Sequence, residues 1–322
     1  MQVARGLGRK IEVTRGLAAR GAPRPLAVTI GNFDGVHRGH QAMLARLIEG
    51  ARARRLVASV LTFEPHPREL FAPAAAPTRL TSLREKLELL AERGIDHVHV
   101  QRFGRAFAAL APDAFVEHFL VGALGARWVL VGDDFRYGAR RAGDFASLAE
   151  AARRLGFELE AMPTVAVQGV RVSSSAVRDA LARGQLDHAR SLLGRAYSIS
   201  GRVVRGLGLG RDLGFPTANV QLKHNRPPLA GIFAVRVHGI AAAARDGVAS
   251  LGVRPTVHTD GRPVLEVFVF DFRGDLYGCH VRVEFLAKLR DEARYPDLAA
   301  LKAQIARDCD AARAALRAYQ DA

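Results

Sequence analysis

Hydrophobic and polar positions change rhythm twice along the chain. Apolar and β-branched residues (Leu26, Val28, Ile30) run up to Gly31. A turn-prone Asn-Phe-Asp-Gly segment follows, and helical spacing begins at Met43, Leu44, Leu47 and Ile48. The pattern then repeats. It predicts strands over 56–63, 97–101, 128–131 and 157–162 and an extended piece over 165–172. Helices are predicted through Leu83, Leu87 and Leu90, with a capping box from Ser82 to Glu85, over 144–155, and from a Ser173–Ser175 cap to Arg183. The Glu64-Pro65-His66-Pro67 segment reads as an extended, exposed loop, because two prolines oppose a helix. Strands alternating with helices predict a parallel α/β sheet, whose functional residues gather at the carboxyl ends of the strands. After a short helical pattern (Leu186, Ala189, Leu192, Leu193) the rhythm becomes glycine-punctuated alternation from Tyr197 onward. Strands over 199–204, 231–237, 247–253, 264–270 and 280–285 precede a last helix (Leu298, Leu301, Ile305) with Asp297 as its N-cap. That predicts a small antiparallel barrel followed by a helix. The expected domains are 1–188 and 189–322.

Composition narrows the class. The chain has 322 residues, 49% hydrophobic and 25% charged, enough for two domains with separate cores. No stretch approaches the ~20 apolar residues of a membrane span, so no membrane partner is expected. The basic start (Arg5, Arg9, Lys10, Arg15, Arg20) lacks the apolar core of a secretory signal and is read as part of the mature protein. Two cysteines, Cys279 and Cys309, make neither a disulfide framework nor a ligand cluster, which points to a reducing cytoplasm. A net charge of +15 alone would suggest a nucleic-acid partner. There is no run of like charge and no arginine–aromatic interleaving, and arginines serving phosphates account for the balance as well. RNA binding stays as a minor alternative, and a homo-oligomer is allowed.

The turn after the first strand carries the first chemistry. Strand, glycine turn (Gly31, Gly35) and helix start make a phosphate site at a helix N-terminus. His37 and His40, three residues apart, come to one side of that helix. Paired imidazoles suit a phosphoryl group gaining charge; they suit a metal less, with no third ligand nearby. The plainer reading is a surface turn that carries histidines. The motif resembles the HxGH signature of nucleotidylyltransferases. Over its full length, GNFDGVHRGHQAML, it is similar to the adenylyltransferase module of the bacterial bifunctional riboflavin kinase/FMN adenylyltransferases, also called FAD synthetases. Phe63–Pro67, Arg79–Ser82, Gly132–Gly138 and Arg171–Arg178 match that module in order.

The resemblance implies that an FMN phosphate oxygen attacks the α-phosphorus of ATP and pyrophosphate leaves. It implies catalytic roles for His37 and His40, with Gly31, Asn32, Phe33, Asp34 and Gly35 forming the turn beneath the nucleotide. Arg171, Ser174, Ser175 and Arg178 would hold the β- and γ-phosphates, and Asp134 would face the ribose or the attacking phosphate. Glu64, His66 and Pro67 would line the flavin end. Simpler readings stand beside these: a serine helix cap, an ordinary exposed Arg178, a structural His66. His97 and His99, alternating in a strand, read as structural.

The second dense motif is GLGLGRDLGFPTAN. Gly206, Gly208, Gly210 and Gly214 give a backbone able to wrap an anion. It matches neither a Walker A loop nor a dinucleotide fingerprint. Pro216 fixes an extended segment that presents Thr217 and Asn219 on one side, a hydroxyl and an amide oxygen suited to Mg²⁺ beside ATP phosphates. A glycine-rich hairpin loop is the plainer alternative. The segment resembles the riboflavin kinase signature, with further matches at Gly231–Ala234, Ser250–Thr256, Leu265–Val267, Asp275–Gly278 and Phe285–Glu292. The resemblance implies that Glu266 is the general base for the ribityl 5′-hydroxyl, and that Arg290 and its loop cover the isoalloxazine ring. Strand alternation alone would place Glu266 on a wetted face. The chain departs from the family at Phe268, where a histidine is common.

The expected protein is therefore an α/β nucleotidylyltransferase domain followed by a small antiparallel β-barrel kinase domain with a C-terminal helix. It would convert riboflavin to FMN and FMN to FAD, using ATP and Mg²⁺ at both sites. Three other readings are a chain active only in its kinase half, an HxGH transferase for a pantetheine or nicotinate nucleotide, and an RNA-binding protein. The second gives no reason for the GFPTAN segment.

Overall fold

In the computed structural model, residues 2–5, 10–16, 24–167, 169–206, 210, 213–223, 226–253 and 263–320 are described. The chain forms two compact units, one of residues 1–77 and 83–172, the other of residues 78–82 and 173–322.

The first unit is built on seven strands, β1 (Gln2–Arg5), β2 (Lys10–Arg15), β3 (Leu26–Ile30), β4 (Val57–Glu64), β5 (His97–Arg102), β6 (Ala126–Gly132) and β7 (Glu158–Met162), in the order β1-β2-β5-β4-β3-β6-β7. Every neighbouring pair is parallel except β1 with β2. Helices α1 (Arg38–Arg54), α2 (Leu83–Glu92) and α3 (Phe145–Leu155) connect them, with a π-helix at Phe115–Ala123. All five residues of β3 are buried, since a parallel strand covered on both faces reads as one apolar run. One core layer includes Leu44, Leu47, Val60, Leu90 and Trp128; the other includes Val28, Leu61, Phe115, Leu120 and Val129.

Three details differ from the sequence expectation. Pro67 does not keep its segment extended; it opens a short helix, Pro67–Phe71. Proline is well placed at the first helical position, where its missing N–H has no intrahelical partner to lose. The His66 side chain caps that helix and the Glu69 carboxylate returns to the His66 amide. The extended piece at 165–172 is a hairpin of β8 (Ala166–Val167) and β9 (Val170–Arg171). Strands β1 and β2 add to the sheet from within the basic N-terminal stretch.

A polar seam crosses this sheet. Thr14 on β2 bonds His97 Nε2 at 3.0 Å and His99 Nδ1 at 2.9 Å, Ser59 on β4 bonds His97 Nδ1 at 2.8 Å, and Gln101 lies 3.3 Å from His99 Nε2. Burial lowers the pKa of His97 to about 4 and that of His99 as well. The unfolded chain therefore binds more protons than the folded one between the ordinary histidine value and pH 4. Stability from this seam is complete above about pH 6.5 and falls as the pH is lowered toward 4, with His97 alone contributing on the order of 3 kcal/mol. Denaturant melts of wild type and His97→Asn across that range test this: the variant loses part of the acid sensitivity. Parallel curves would contradict it.

The second unit begins with α4 (Ser174–Ala182) and α5 (Leu186–Leu193). A closed antiparallel barrel follows: β10 (Tyr197–Val204), β11 (Ala218–Val220), β12 (Gly231–His238), β13 (Arg245–Val253), β14 (Pro263–Val269) and β15 (His280–Arg290), in the order β10-β11-β14-β13-β12-β15. Ile199, Phe233, Val235, Leu251, Val267, Val283 and Phe285 are among the fully buried residues of these strands. The last helix, α6 (Leu298–Gln320), packs Cys309, Ala312 and Leu316 against Ile232, Ala234, Val248, Phe270 and Leu286. Asp297 caps α6, accepting from the Ala300 amide at 2.7 Å. Among the described residues no helix is long and apolar enough to cross a membrane.

Candidate active sites

In the first unit, β3 delivers the chain into a turn with unusual backbone. Phe33 and Val36, each 1% exposed, have φ of +48° and +41°. A β-branched residue there is a genuine outlier, held only because the surroundings over-determine it. The turn ends at His37, the N-cap of α1, whose Nδ1 accepts from the His40 amide at 3.3 Å. The two imidazoles stack with centroids 3.6 Å apart and planes 15° from parallel, and Phe33 lies 4.9 Å from His40. Burial, then the charges of His37 and Lys86, hold the His40 pKa well below the usual histidine value. Its ring is therefore neutral near pH 7.

Two buried atoms at this turn, Asn32 Oδ1 and His40 Nδ1, have no hydrogen-bond partner among the described residues. Buried polar atoms are rarely left so, and His40 belongs to the first turn of α1. Behind them Lys86, 6% exposed, donates from Nζ to Thr62 Oγ1 at 3.4 Å, and Thr62 donates to the Asn32 carbonyl at 3.3 Å. Sequence reasoning missed Lys86. It lies on the buried face of α2 beside Leu87 and Leu90, and only its place in that apolar pattern marks it.

The other residues singled out in this region are more dispersed. Asp134 and Arg171 form an ion pair at 2.6 Å, both largely exposed. A surface pair of this kind is worth little. Asp34 is buried. Glu64, His66 and Pro67 stand at the end of β4 and the start of its short helix. Ser174, Ser175 and Arg178 belong to α4 of the other compact unit. There Ser173 is the N-cap, and Arg178 Nε donates to the Thr78 carbonyl.

The barrel assembles its residues by register. Asn219 on β11 pairs with Glu266 on β14, Glu266 with Ser250 on β13, Ser250 with Ile232 on β12, and Ile232 with Arg290 on β15. Residues far apart in sequence thus share one row, with directly opposed Cβ atoms about 5 Å apart. Burial along β14 alternates, with Leu265, Val267 and Val269 inside and Glu266 and Phe268 half-open. Phe268 packs edge-on against Phe215 at 5.5 Å, so an apolar floor lies beside Glu266 where the family often carries a histidine.

Two described glycines of the glycine-rich segment, Gly206 and Gly210, lie beside residues of the Thr217–Asn219 stretch. A Cβ on Gly206 would fall 2.3 Å from Asn219 Nδ2, and one on Gly210 3.1 Å from Thr217 Oγ1. Glycine is needed there because only a bare backbone comes so near. Pro216 and Gly214 lie between, both exposed; Gly208 and residues 254–256 fall outside the described residues. Arg290 is engaged by a bidentate pair with the buried Asp308 of α6, at 2.8 and 2.6 Å. That pair anchors the loop after β15. No cluster of three or more His, Cys, Asp or Glu able to hold a metal occurs among the described residues. Thr217 and Asn219 carry a hydroxyl and an amide oxygen, donor types that magnesium accepts beside phosphate and water.

Comparison with known proteins agrees with both regions. A family model described as FAD synthetase matches residues 20–176, and one described as riboflavin kinase matches residues 193–316. The chain is 52% identical over 281 residues to the bifunctional riboflavin kinase/FMN adenylyltransferase of Escherichia coli K12, covering 87% of this chain and 90% of that protein. It is 48% identical over 314 residues to the protein of the same name from Pseudomonas fluorescens, covering 98% and 97%. A crystal structure from Streptococcus pneumoniae, titled a macrolide-efflux protein, shares the fold with a TM-score of 0.78 and 28% identity, over 92% of this chain and 97% of that one. With an FAD synthetase region and a riboflavin kinase region in one chain, and such relatives along nearly its whole length, the protein belongs to the bifunctional riboflavin kinase/FMN adenylyltransferase family.

Proposed function

We propose that the two activities of the family divide at residues 188/189 and rest on the residues assembled above. In the kinase region Glu266 accepts the proton of the ribityl 5′-hydroxyl as its oxygen attacks the γ-phosphorus of ATP; ADP leaves and FMN forms. Gly206, Gly208, Gly210, Gly214 and Pro216 shape the loop around the phosphates, and Thr217 and Asn219 hold Mg²⁺. Bound there, the ion offsets phosphate charge. Arg290 fixes the loop that covers the flavin ring.

In the synthetase region an FMN phosphate oxygen attacks the α-phosphorus of a second ATP. The free amides at the start of α1 and the His37 and His40 rings receive the charge that develops there. Gly31, Asn32, Phe33, Asp34 and Gly35 carry the nucleotide. Arg171 takes the β- and γ-phosphates that leave as pyrophosphate. Once Arg171 turns to phosphate, Asp134 is released toward the ribose. Glu64, His66 and Pro67 border the flavin. The protein's working place on this reading is the cytoplasm.

The observation that best supports these assignments is the register that sets Asn219 beside Glu266. Labelled ATP tests the reading. Riboflavin and Mg²⁺ with γ-labelled ATP give labelled FMN and FAD, whereas α-labelled ATP labels FAD alone. FMN without γ-label, or FAD without α-label, would overturn it.

A further inference from the structure

A second carboxylate stands on the same barrel face as Glu266. Two residues beyond the anchored Arg290, Glu292 reaches back over β12 to β13, where Ser250 Oγ donates to Glu292 Oε1 at 3.2 Å. Its carboxylate lies so close to Gly252 that a Cβ there would fall 1.9 Å from Oε2 and 2.2 Å from Oε1. Ser250 is the direct cross-strand partner of Glu266, and Gly252, paired with Val264, is its diagonal neighbour. Those positions lie about 5 and 7–8 Å from Glu266. Glu292 itself is exposed. Among the described residues Ser250 takes one of the roughly four acceptor positions of its carboxylate.

We propose that Glu292 is a substrate-positioning residue of the kinase: it accepts hydrogen bonds from the secondary hydroxyls of the ribityl chain and so sets the 5′-hydroxyl against Glu266. The inference rests on the kinase reading above. A polyol offers a row of O–H donors beside its reacting hydroxyl, and a carboxylate is their natural acceptor. The diagonal spacing on the sheet matches a few carbon–carbon bonds. Gly252 is then the residue whose missing side chain admits the carboxylate.

The test pairs the side chain with the hydroxyls it would meet. Wild type, Glu292→Gln and Glu292→Asp are compared on riboflavin and on a flavin whose N10 chain is 5-hydroxypentyl, which keeps the reacting hydroxyl and lacks the secondary ones. Wild type favours riboflavin in kcat/KM, and Glu292→Gln reduces that preference about ten- to a hundred-fold. Glu292→Asp, which keeps the charge, retains part of it. Gly252→Ala, which fills the space under the carboxylate, behaves like Glu292→Gln, and the double variant is no worse than either. FMN adenylyl transfer by the same preparations reports that the chain is folded. A preference unchanged in Glu292→Gln, or equal losses on both substrates, would overturn the proposal. If Glu266→Gln were also to leave the kinase active, the kinase reading itself would fall.

Discussion

Glutamine in place of Glu266 lowers riboflavin phosphorylation by about 10²–10⁴-fold while FMN adenylyl transfer stays at the wild-type rate. The substitution keeps size and shape and removes only the ability to take a proton. Glu266 is half-open on the barrel face between Asn219 and Ser250, and the apolar interior of β14 is carried by Leu265, Val267 and Val269. The variant therefore folds. The loss falls on kcat, because Mg²⁺–ATP binding rests on Thr217, Asn219 and the glycine loop. Phosphorylation within a few-fold of wild type would exclude Glu266 as the base and leave deprotonation to water.

The second large effect falls on the other reaction. His40→Asn lowers FAD formation by about 10²–10³-fold, and FMN accumulates from riboflavin at an unchanged rate. The His40 side chain stacks on His37 and near Phe33, and its Nδ1 has no partner among the described residues, so its removal breaks no hydrogen bond described there. The ring is neutral in the free enzyme, held so by burial and by His37 and Lys86. What the variant loses is therefore a positioned donor beside the α-phosphorus rather than a standing charge. Lys86 remains in place beneath the turn. Normal FAD formation by His40→Asn would put the charge-receiving role on the helix amides and Lys86.

These effects follow from residues whose types are plain in the sequence and whose meeting is not. The uninterrupted apolar run of β3, the turn and the cap at His37 are local signals, and they place the first motif at a strand end and a helix start. The row from Asn219 to Arg290 is different. Alternation shows which residues share a strand face, but the partner of each depends on register, which is set by the closure of the whole barrel. For that reason Glu292 stays silent in the sequence: its contact with Ser250 and Gly252 spans strands that are not neighbours in the chain. Lys86 is silent for another reason, since a lysine within a helix normally reads as a solvated residue. Strand β2 escapes notice because only Ile11 and Val13 mark it inside a basic stretch. Pro67 misleads because the same residue that breaks a helix interior also starts a helix well.

On the proposed reading one chain carries two separable sites, with Glu266 serving one and His40 the other. Mixing the two single variants tests it most directly. Given riboflavin, ATP and Mg²⁺, Glu266→Gln alone makes almost no FMN and His40→Asn alone makes FMN but almost no FAD. The mixture makes FAD, because FMN released by one protein is adenylylated by the other. FAD from riboflavin with Glu266→Gln alone, or none from a mixture in which FMN accumulates, would contradict the account.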